Sequence, residues 1–252
     1  MGQHMEKQIP RDSAAKLFQV EVFMDLPNIS NSLKTIHRRK TDYGWLVGRA
    51  VQEFAGRLGL PVRKGSAGQW PACPGVSETP CISCRRIWSF TSEPVNFHPD
   101  DHQRVRGIRG FQNSLQFRHG FHLEKLPMDF RGHHIRTSDR RNSPLEEERN
   151  WEPREKCVDA ALVNRLVRRC LASDRPAGVL VMAGDLDYAY VLREIAQDRP
   201  GIRVAVAGFR SSLSSKYLSR RFWHNTGSFA ILLDECLGES DWTGTAWGPE
   251  AA

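Results

Sequence analysis

The sequence lacks the features that mark several large classes of protein. Its apolar runs fall far short of the roughly 20 residues that span a bilayer, and residues 1–11 contain no apolar stretch of the signal-peptide type. There is no Gly-x-Gly-x-x-Gly, no Walker Gly-x-x-x-x-Gly-Lys-Ser/Thr and no His-Glu-x-x-His. These absences predict a cytoplasmic protein without a membrane partner. They weigh against a dinucleotide-dependent enzyme, a P-loop nucleotidase and a zincin protease.

Acidic residues are the scarcer charged class. The 252 residues include 36 Lys and Arg against 29 Asp and Glu, which gives a formal net charge of +7. The 40% share of hydrophobic residues is typical of a globular chain. A modest basic excess favours an anionic partner, of which nucleic acid is the commonest.

Cysteine is also sparse, with six residues in the whole chain. Without a signal peptide these thiols are expected to stay reduced, which makes disulfides the less favoured interpretation. Cys157, Cys170 and Cys236 lie in apolar stretches, so we predict that they are buried in the core.

Hydrophobic periodicity predicts an α/β fold. In the C-terminal part, apolar strand-like runs alternate with amphipathic helical patterns, which is typical of a parallel sheet with helices on both faces. The predicted strands there are 177–183, 202–207 and 229–233, and the predicted helices are 158–171, 186–197 and 216–223. The N-terminal part adds strands 18–24, 86–90 and 121–126, with helices 43–58 and 104–117.

Two segments interrupt this pattern. A Gly-, Pro- and Cys-rich loop insertion covers 61–85, and a polar, highly charged loop covers 131–156. We therefore expect one domain over 17–236, between an N-terminal tail at 1–16 and a C-terminal tail at 237–252.

Acidic side chains follow the predicted strands at the points where they end. Asp25 comes directly after the first predicted strand, and Asp185 and Asp187 come directly after strand 177–183. Asp159 opens the helix that precedes that strand, and such a helix starts at the same edge of a parallel sheet. Any one of these residues has an alternative role as a helix cap or turn residue. Four carboxylates at one edge repel unless a cation joins them, and oxygen ligands favour Mg²⁺ or Mn²⁺.

Three motifs occur in an order that a known family shows. The first is a strand ending in Asp, then two residues and Asn, here Asp25-Leu-Pro-Asn28. The second is a Lys ahead of a Val-Asp pair that opens a helix, here Lys156-Cys-Val-Asp159. The third is a strand followed by Ser-Gly-Asp-x-Asp-Phe, here Ala-Gly-Asp-Leu-Asp-Tyr over 183–188. With these motifs the chain resembles the NYN domain, a branch of the PIN-like ribonuclease superfamily that includes LabA-like bacterial proteins.

The resemblance implies a PIN-like three-layer α/β/α sandwich with a central, mostly parallel sheet. It also implies a metal-dependent (endo)ribonuclease that hydrolyses RNA phosphodiester bonds at a site holding Mg²⁺ or Mn²⁺. The implied ligands are Asp25, Asp159, Asp185 and Asp187, with Asn28 orienting a ligand or water among them. Two positions depart from the family pattern, because Ala183 replaces Ser and Tyr188 replaces Phe. Neither change removes an acid, and we treat the second as mild.

The insertion carries a cysteine cluster, Cys73-x7-Cys81-x2-Cys84. A Cys-x-x-Cys pair is a geometry that zinc favours, and a loop without its own core gains from a metal staple. A closed structural site needs four ligands, and His98 and His102 are the nearest downstream candidates for the fourth. The alternative is three free thiols, and the sequence leaves both interpretations open.

Basic residues form several short clusters. Each alone is commonly a solvated surface, but together they predict a surface that binds phosphates. The predicted RNA contacts are Arg38, Arg39, Lys40, Lys156, Lys216 and Arg220. Trp70, Trp88 and Trp223 are candidates for stacking on unpaired bases of single-stranded RNA, with burial the simpler role for Trp88.

Two other functions are open on the sequence alone. One is a catalytically weak RNA-binding or adaptor protein of the same fold, although a complete set of four acids favours the enzyme. The other is a haloacid-dehalogenase-like phosphohydrolase, which requires Asp-x-Asp after the first strand, where this chain has Pro27. The RNA target, endo- or exonuclease action, the number of metals and a homodimeric assembly are all left open.

Overall fold

The computed structural model describes residues 17–34, 42–61, 82–135 and 157–236, and at its centre is a six-stranded sheet. The strands are β1 Phe18–Asp25, β2 Ile82–Val95, β3 His122–Asp129, β4 Gly178–Met182, β5 Arg203–Gly208 and β6 Phe229–Leu232. The helices are α1 Leu26–Ser32, α2 Tyr43–Arg57, α3 His102–His119, α4 Val158–Leu171, α5 Ala189–Asp198, α6 Ser215–Leu218 and α7 Leu233–Cys236, with short 3₁₀ helices at Pro99–Asp101 and Leu186–Tyr188. Among the described residues, none of these helices combines the length and apolarity needed to cross a membrane.

Strand order places the centre of the sheet between β1 and β4. The order is β3-β2-β1-β4-β5-β6, and every pairing among the described strands is parallel. After β1, the chain adds β2 and β3 on one side of that strand, and then β4, β5 and β6 on its other side. The point where the direction reverses opens a crevice beyond the carboxyl ends of β1 and β4. The predicted α/β class and parallel sheet are confirmed.

Alternation along β1 explains how the sheet is covered on both faces. Val20, Val22 and Met24 join one buried cluster that includes the inner faces of α1 and α2. Phe23 joins a second cluster on the opposite face, under α4 and α5. Because side chains alternate along a strand, Glu21, Phe23 and Asp25 share that second face. The arrangement is consistent with a three-layer sandwich, and it points Asp25 toward α4.

The second strand is longer than the sequence predicts. We expect a strand at 86–90, but β2 covers Ile82–Val95. Its first residues pair with β1, beginning with Phe18 beside Ile82, and its last pair with β3, ending with Val95 beside Asp129. Residues 82–85 therefore belong to the sheet and not to the predicted loop insertion. The rest of that insertion from residue 62, residues 136–156 of the charged loop and both predicted tails lie outside the described residues.

The predicted helix over 216–223 is wrong in its second half. The helix α6 ends at Leu218, and the chain then turns so that Phe222 and Trp223 pack on Tyr217. The indole N–H of Trp223 donates to the carbonyl oxygen of Tyr217 at 2.8 Å, and the side chain is buried. Burying these two aromatic rings stabilises the turn more than a longer helix would stabilise the segment. Because Trp223 is buried, it is no longer a candidate for stacking on bases.

One of the three cysteines predicted to be buried is exposed. Cys170 and Cys236 are buried, but Cys157 is exposed at the N-cap of α4 with a φ of 76°. The buried face of α4 consists of Val158, Leu162, Leu166 and Cys170. Cys157 precedes the helix and lies at the edge of the sheet. It is therefore exposed although its neighbours in the sequence are apolar.

A buried ion pair fixes α4 against the middle of β1. The carboxylate of Glu21 is fully buried, and both of its oxygens accept from the Arg169 guanidinium, at 2.7 and 2.9 Å. The indole N–H of Trp88 donates to the same carboxylate at 2.9 Å. Glu21 is therefore a buried acid whose charge is neutralised and whose acceptors are satisfied.

Candidate active site at the carboxyl edge of the sheet

The candidate site lies in the crevice between the ends of β1 and β4. Asp25 is the last residue of β1 and caps α1, because its Oδ1 accepts from the backbone N–H of Asn28 at 3.0 Å. Only 4% of Asp25 is exposed. The sequence prediction that Asp25 lies at the carboxyl edge of a parallel sheet is thus matched by the structure.

Asn28 connects the two strand ends. Its Oδ1 accepts from the backbone N–H of Gly184 at 2.8 Å, and its Nδ2 donates to Oδ2 of Asp185 at 2.9 Å. One side chain on α1 therefore holds the turn that follows β4 and orients the carboxylate of Asp185. Its observed contact with Asp185 agrees with the expectation from the resemblance that Asn28 orients one of the implied ligands.

The turn after β4 requires glycine at position 184. A Cβ there would lie 2.4 Å from the carbonyl oxygen of Ser212, which is backbone and cannot move aside easily. The backbone N–H of Ser214 donates to the Gly184 carbonyl at 2.9 Å, and the Tyr217 hydroxyl donates to the Asp185 carbonyl at 2.8 Å. These contacts fix the backbone that presents Asp185.

Tyr188 bridges two of the acids. Its hydroxyl lies 2.9 Å from Oδ2 of Asp25 and is also hydrogen-bonded to Oδ1 of Asp159, in the first turn of α4. A phenol has one proton, so it can donate to only one of the two carboxylates at a time. The second contact needs another proton, on Asp25 or Asp159, unless a cation lies between the acids.

The pKa of Asp25 agrees with this need for a further proton or a cation between the acids. Burial raises the pKa of its carboxyl from 3.8 to about 6, and the negative charges of Asp159 and Asp185 act in the same direction. Hydrogen bonds from Asn28 and Tyr188 oppose the shift without cancelling it. Burial, followed by the carboxylates of Asp25 and Asp159, raises the pKa of Tyr188, so its phenol keeps its proton.

The structure brings three of the four predicted acids into one network. Asp25, Asp159 and Asp185 are linked through Tyr188 and Asn28, whereas Asp187 is exposed in the 3₁₀ helix. Asp187 acts on Tyr217, whose pKa is raised by burial and then by Asp185 and Asp187. No hydrogen bond between described residues joins Asp187 to the other three acids, so its role as a ligand stays a prediction.

The oxygen donors of this network are of the kind that a hard cation takes, but they are not gathered into a compact group. Within the described ranges, no three carboxylate oxygens of this network lie within 4.8 Å of one another. The hydroxyl of Tyr188 and the amide of Asn28 keep the acids apart. Mg²⁺ keeps several waters and commonly takes only one or two protein carboxylates, so a buried carboxylate with two exposed ones nearby suits it.

The predicted cysteine site has one described member. Cys84 lies within β2 and packs against the core, and burial raises the pKa of its thiol to about 12, with Glu21 acting in the same direction. A high pKa opposes the thiolate that zinc binds. Cys73 and Cys81 lie outside the described residues, so the zinc prediction stays untested.

The histidines considered as a fourth zinc ligand lie at the wrong end of β2. Cys84 is near the start of the strand, and His98 and His102 follow its end. The eleven steps of extended chain from Cys84 to Val95 cover roughly 35 Å. Neither histidine can therefore share a metal ion with Cys84.

The predicted RNA contacts are partly described. Lys216 and Arg220 are exposed, and the Lys216 ammonium lies 5.9 Å from the centre of the Phe222 ring. Arg38, Arg39, Lys40 and Lys156 lie outside the described residues. Trp88 is half-buried in the sheet, and the Arg165 guanidinium and the His122 ring lie 4.7 and 4.9 Å from the centre of its ring.

Tyr188 has a more central place in the candidate site than we expect from the sequence, where its replacement of Phe is treated as mild. The substitution of Tyr for Phe at this position was the available signal. The structure shows that the added hydroxyl lies between two candidate metal ligands.

Tyr188→Phe is expected to strengthen Mn²⁺ binding and to lower the unfolding free energy of the metal-free protein. Loss of the phenol leaves buried carboxylate oxygens without a donor, which costs about 1–3 kcal/mol of unfolding free energy. It also removes the group that a cation has to displace. Urea unfolding with and without MnCl₂ measures both effects, with the exposed Tyr190→Phe as a control. Equal stabilisation of wild type and variant by Mn²⁺ would contradict this role.

Comparison with known proteins gives no assignment. The chain matches no family model, no curated protein and no solved structure. Function therefore has to be inferred from the geometry of the site, together with the motif resemblance described above.

Proposed function

We propose that the protein is a metal-dependent ribonuclease of the NYN type, with a PIN-like fold, that hydrolyses phosphodiester bonds of RNA. The observation that carries the proposal is a buried carboxylate, Asp25, that faces two further carboxylates in the crevice between β1 and β4. Crevices at such reversal points are where open parallel sheets bind ligands.

A comparison of Glu21 and Asp25, two buried acids on the same face of β1, distinguishes Asp25 from an acid with a purely structural role. Glu21 is buried and is neutralised by Arg169. Asp25 is buried four positions later, and no ion pair among the described residues neutralises it. Burial of an unpaired carboxylate lowers stability. A protein that uses Asp25 to bind a cation has a reason to keep it there.

The chain's own residues prepare the site for phosphodiester chemistry. Asn28 orients the Asp185 carboxylate, and the hydroxyl of Tyr188 occupies the place between Asp25 and Asp159 until a cation displaces it. Asp25, Asp159 and Asp185 would hold Mg²⁺ or Mn²⁺, with Asp187 as a further proposed ligand. Such a cation supplies an activated water and neutralises charge on the phosphate and the leaving oxygen.

A basic cleft supports an anionic substrate. It has a volume of about 540 Å³, and its lining includes Arg193, Arg203, Arg221 and His224 but no Asp or Glu. Arg203 begins β5, so the cleft lies at the amino edge of the sheet, roughly 20 Å from the carboxyl edge. Single-stranded RNA that spans both edges would gain affinity from the cleft, in addition to the proposed contacts by Arg38, Arg39, Lys40, Lys156, Lys216 and Arg220.

Cleavage of labelled single-stranded RNA tests the proposal. We expect cleavage by wild type with Mn²⁺ and none with EDTA. Asp185→Asn should slow cleavage by about tenfold or more, because it removes a charged ligand of the metal. Glu194→Gln on α5 is the matched control, since it removes an exposed carboxylate outside the site.

The alternative is a catalytically weak RNA-binding or adaptor protein of the same fold. It predicts RNA binding in EDTA with no cleavage of any RNA by wild type in Mg²⁺ or Mn²⁺. A cleavage rate that changes neither with EDTA nor with Asp185→Asn would contradict the metal-carboxylate site itself.

A further inference from the structure

Two loops at the carboxyl edge of the sheet are held together beyond β2 and β3. The backbone N–H of His98 donates to the His133 carbonyl at 3.0 Å, and that of Gly132 donates to the Asn96 carbonyl at 2.5 Å. A small separate core beneath them contains Val105, Phe130 and Ile135. The loops therefore form a fixed platform, distinct from the acidic site.

Two histidines and one aspartate meet on this platform. The rings of His98 and His134 lie 3.8 Å apart, centre to centre, and Oδ2 of Asp100 lies 3.5 Å from Nδ1 of His98. One ligand atom from each of the three residues falls within 4.8 Å of the other two. Among the described residues, this is the only such group of three His, Cys, Asp or Glu side chains.

Asp101 orients one of these imidazoles. Its Oδ2 accepts from the backbone N–H of Ile135 at 2.7 Å and lies 3.2 Å from Nδ1 of His134. The Asp101 side chain is only 12% exposed, so it is well fixed. The contact of the Asp101 carboxylate with Nδ1 leaves the other ring nitrogen, Nε2, available to a metal ion. Metal-binding histidines commonly make such a carboxylate contact through the nitrogen that does not bind the metal.

We propose that His98, Asp100 and His134 form a binding site for Zn²⁺ or a similar transition-metal ion. Bonds of 2.0–2.2 Å in a tetrahedral arrangement place two ligand atoms roughly 3.3–3.6 Å apart. The observed 3.5 Å between His98 Nδ1 and Asp100 Oδ2 fits this spacing, and a bound ion would replace the hydrogen bond that Nδ1 accepts from the backbone N–H of Asp100 at 3.3 Å. His134, held by Asp101 through Nδ1, offers its Nε2 as the third ligand.

The ligand chemistry selects the class of metal. Two imidazoles with one carboxylate suit Zn²⁺, Co²⁺ or Ni²⁺, whereas Mg²⁺ prefers oxygen ligands. Three protein ligands leave one position for water or another ligand. A bound ion would join the loop after β2 to the loop after β3, and this role is independent of the proposed nuclease activity.

Equilibrium dialysis of the full chain against Zn²⁺ tests the site. Cys73→Ser and Cys81→Ser are introduced together to remove the cysteine cluster, and excess Mg²⁺ occupies the acidic site. We expect one bound Zn²⁺. Asp101→Asn should weaken its binding about 10–100-fold, and His98→Gln or His134→Gln should weaken it further because each removes a ligand.

His224→Gln is the matched control, because His224 is an exposed histidine in the basic cleft. It should leave Zn²⁺ binding unchanged. Circular dichroism checks that each variant is folded. Absence of a bound Zn²⁺ in the parent protein, or equal affinity in the His98 and His134 variants, would overturn the proposal.

Discussion

Asp25→Asn is expected to abolish RNA cleavage and, at the same time, to stabilise the metal-free protein. Cleavage should fall by at least about a hundredfold, because the substitution removes the buried ligand of the proposed cation. Stability should rise because the neutral amide no longer buries a charge. Its Nδ2 can also donate to Tyr188, which frees the phenol proton for Asp159, so every contact in the network then has a proton.

The pH dependence gives the sign and size of the stability effect. The Asp25 pKa is raised in the folded protein to about 6 from an ordinary value of 3.8, so between these pH values the folded state holds a proton that the unfolded state has lost. Wild-type stability therefore falls as pH rises through this window, and it stays low above pH 6. The loss amounts to about 3 kcal/mol at most, at 1.36 kcal/mol per pH unit.

Urea unfolding in EDTA at about pH 4 and about pH 8 measures this difference. The Asp25→Asn variant and wild type should differ most at the higher pH, with the variant more stable. Asp187→Asn is the control, since it removes an exposed carboxylate. Equal stability of the Asp25→Asn variant and wild type at about pH 8 would show that the buried carboxyl carries no unpaired charge.

Arg169→Ala is expected to cost about 3–5 kcal/mol of unfolding free energy, which is the effect of leaving one buried partner of an ion pair without the other. The abandoned partner is Glu21, which is fully buried in the middle of β1 and would keep only a longer, 3.8 Å contact with the partly exposed Arg86. Urea unfolding near neutral pH measures the loss. Arg168→Ala on the same helix is the control, because that residue is exposed and the change should stay within about 0.5 kcal/mol.

A loss in Arg169→Ala as small as that in the control would contradict the structural role of the pair. It would also remove the contrast between a neutralised Glu21 and an unpaired Asp25. A Glu21→Gln, Arg169→Met double variant separates the charge from the packing, since replacing both partners can be nearly neutral.

The sequence was most informative where a local pattern decides the structure. Alternation over residues 18–24 predicted β1, and the apolar spacing over 158–171 predicted α4 with both its ends. The positions of Asp25 and Asp185 followed from the rule for parallel sheets. These features depend on neighbours a few residues away.

The features that the sequence did not predict depend on distant partners. Glu21 and Arg169 are 148 positions apart, and nothing local shows that they meet. The extra length of β2 comes from pairing with β1, beginning at Phe18 and Ile82. The pairing of His98 with His134 required two loops to be brought together by packing, whereas the sequence suggested a zinc site with Cys84.

The rate of RNA cleavage as a function of Mn²⁺ concentration, in wild type and in Asp25→Asn, tests the central claim most directly. The claim is that a carboxylate buried at a cost to stability holds the cation that cleaves RNA. We predict a rate in wild type that saturates with Mn²⁺ and disappears in EDTA, and no measurable rate in the folded, more stable variant. Equal Mn²⁺-dependent rates in the two proteins would contradict it.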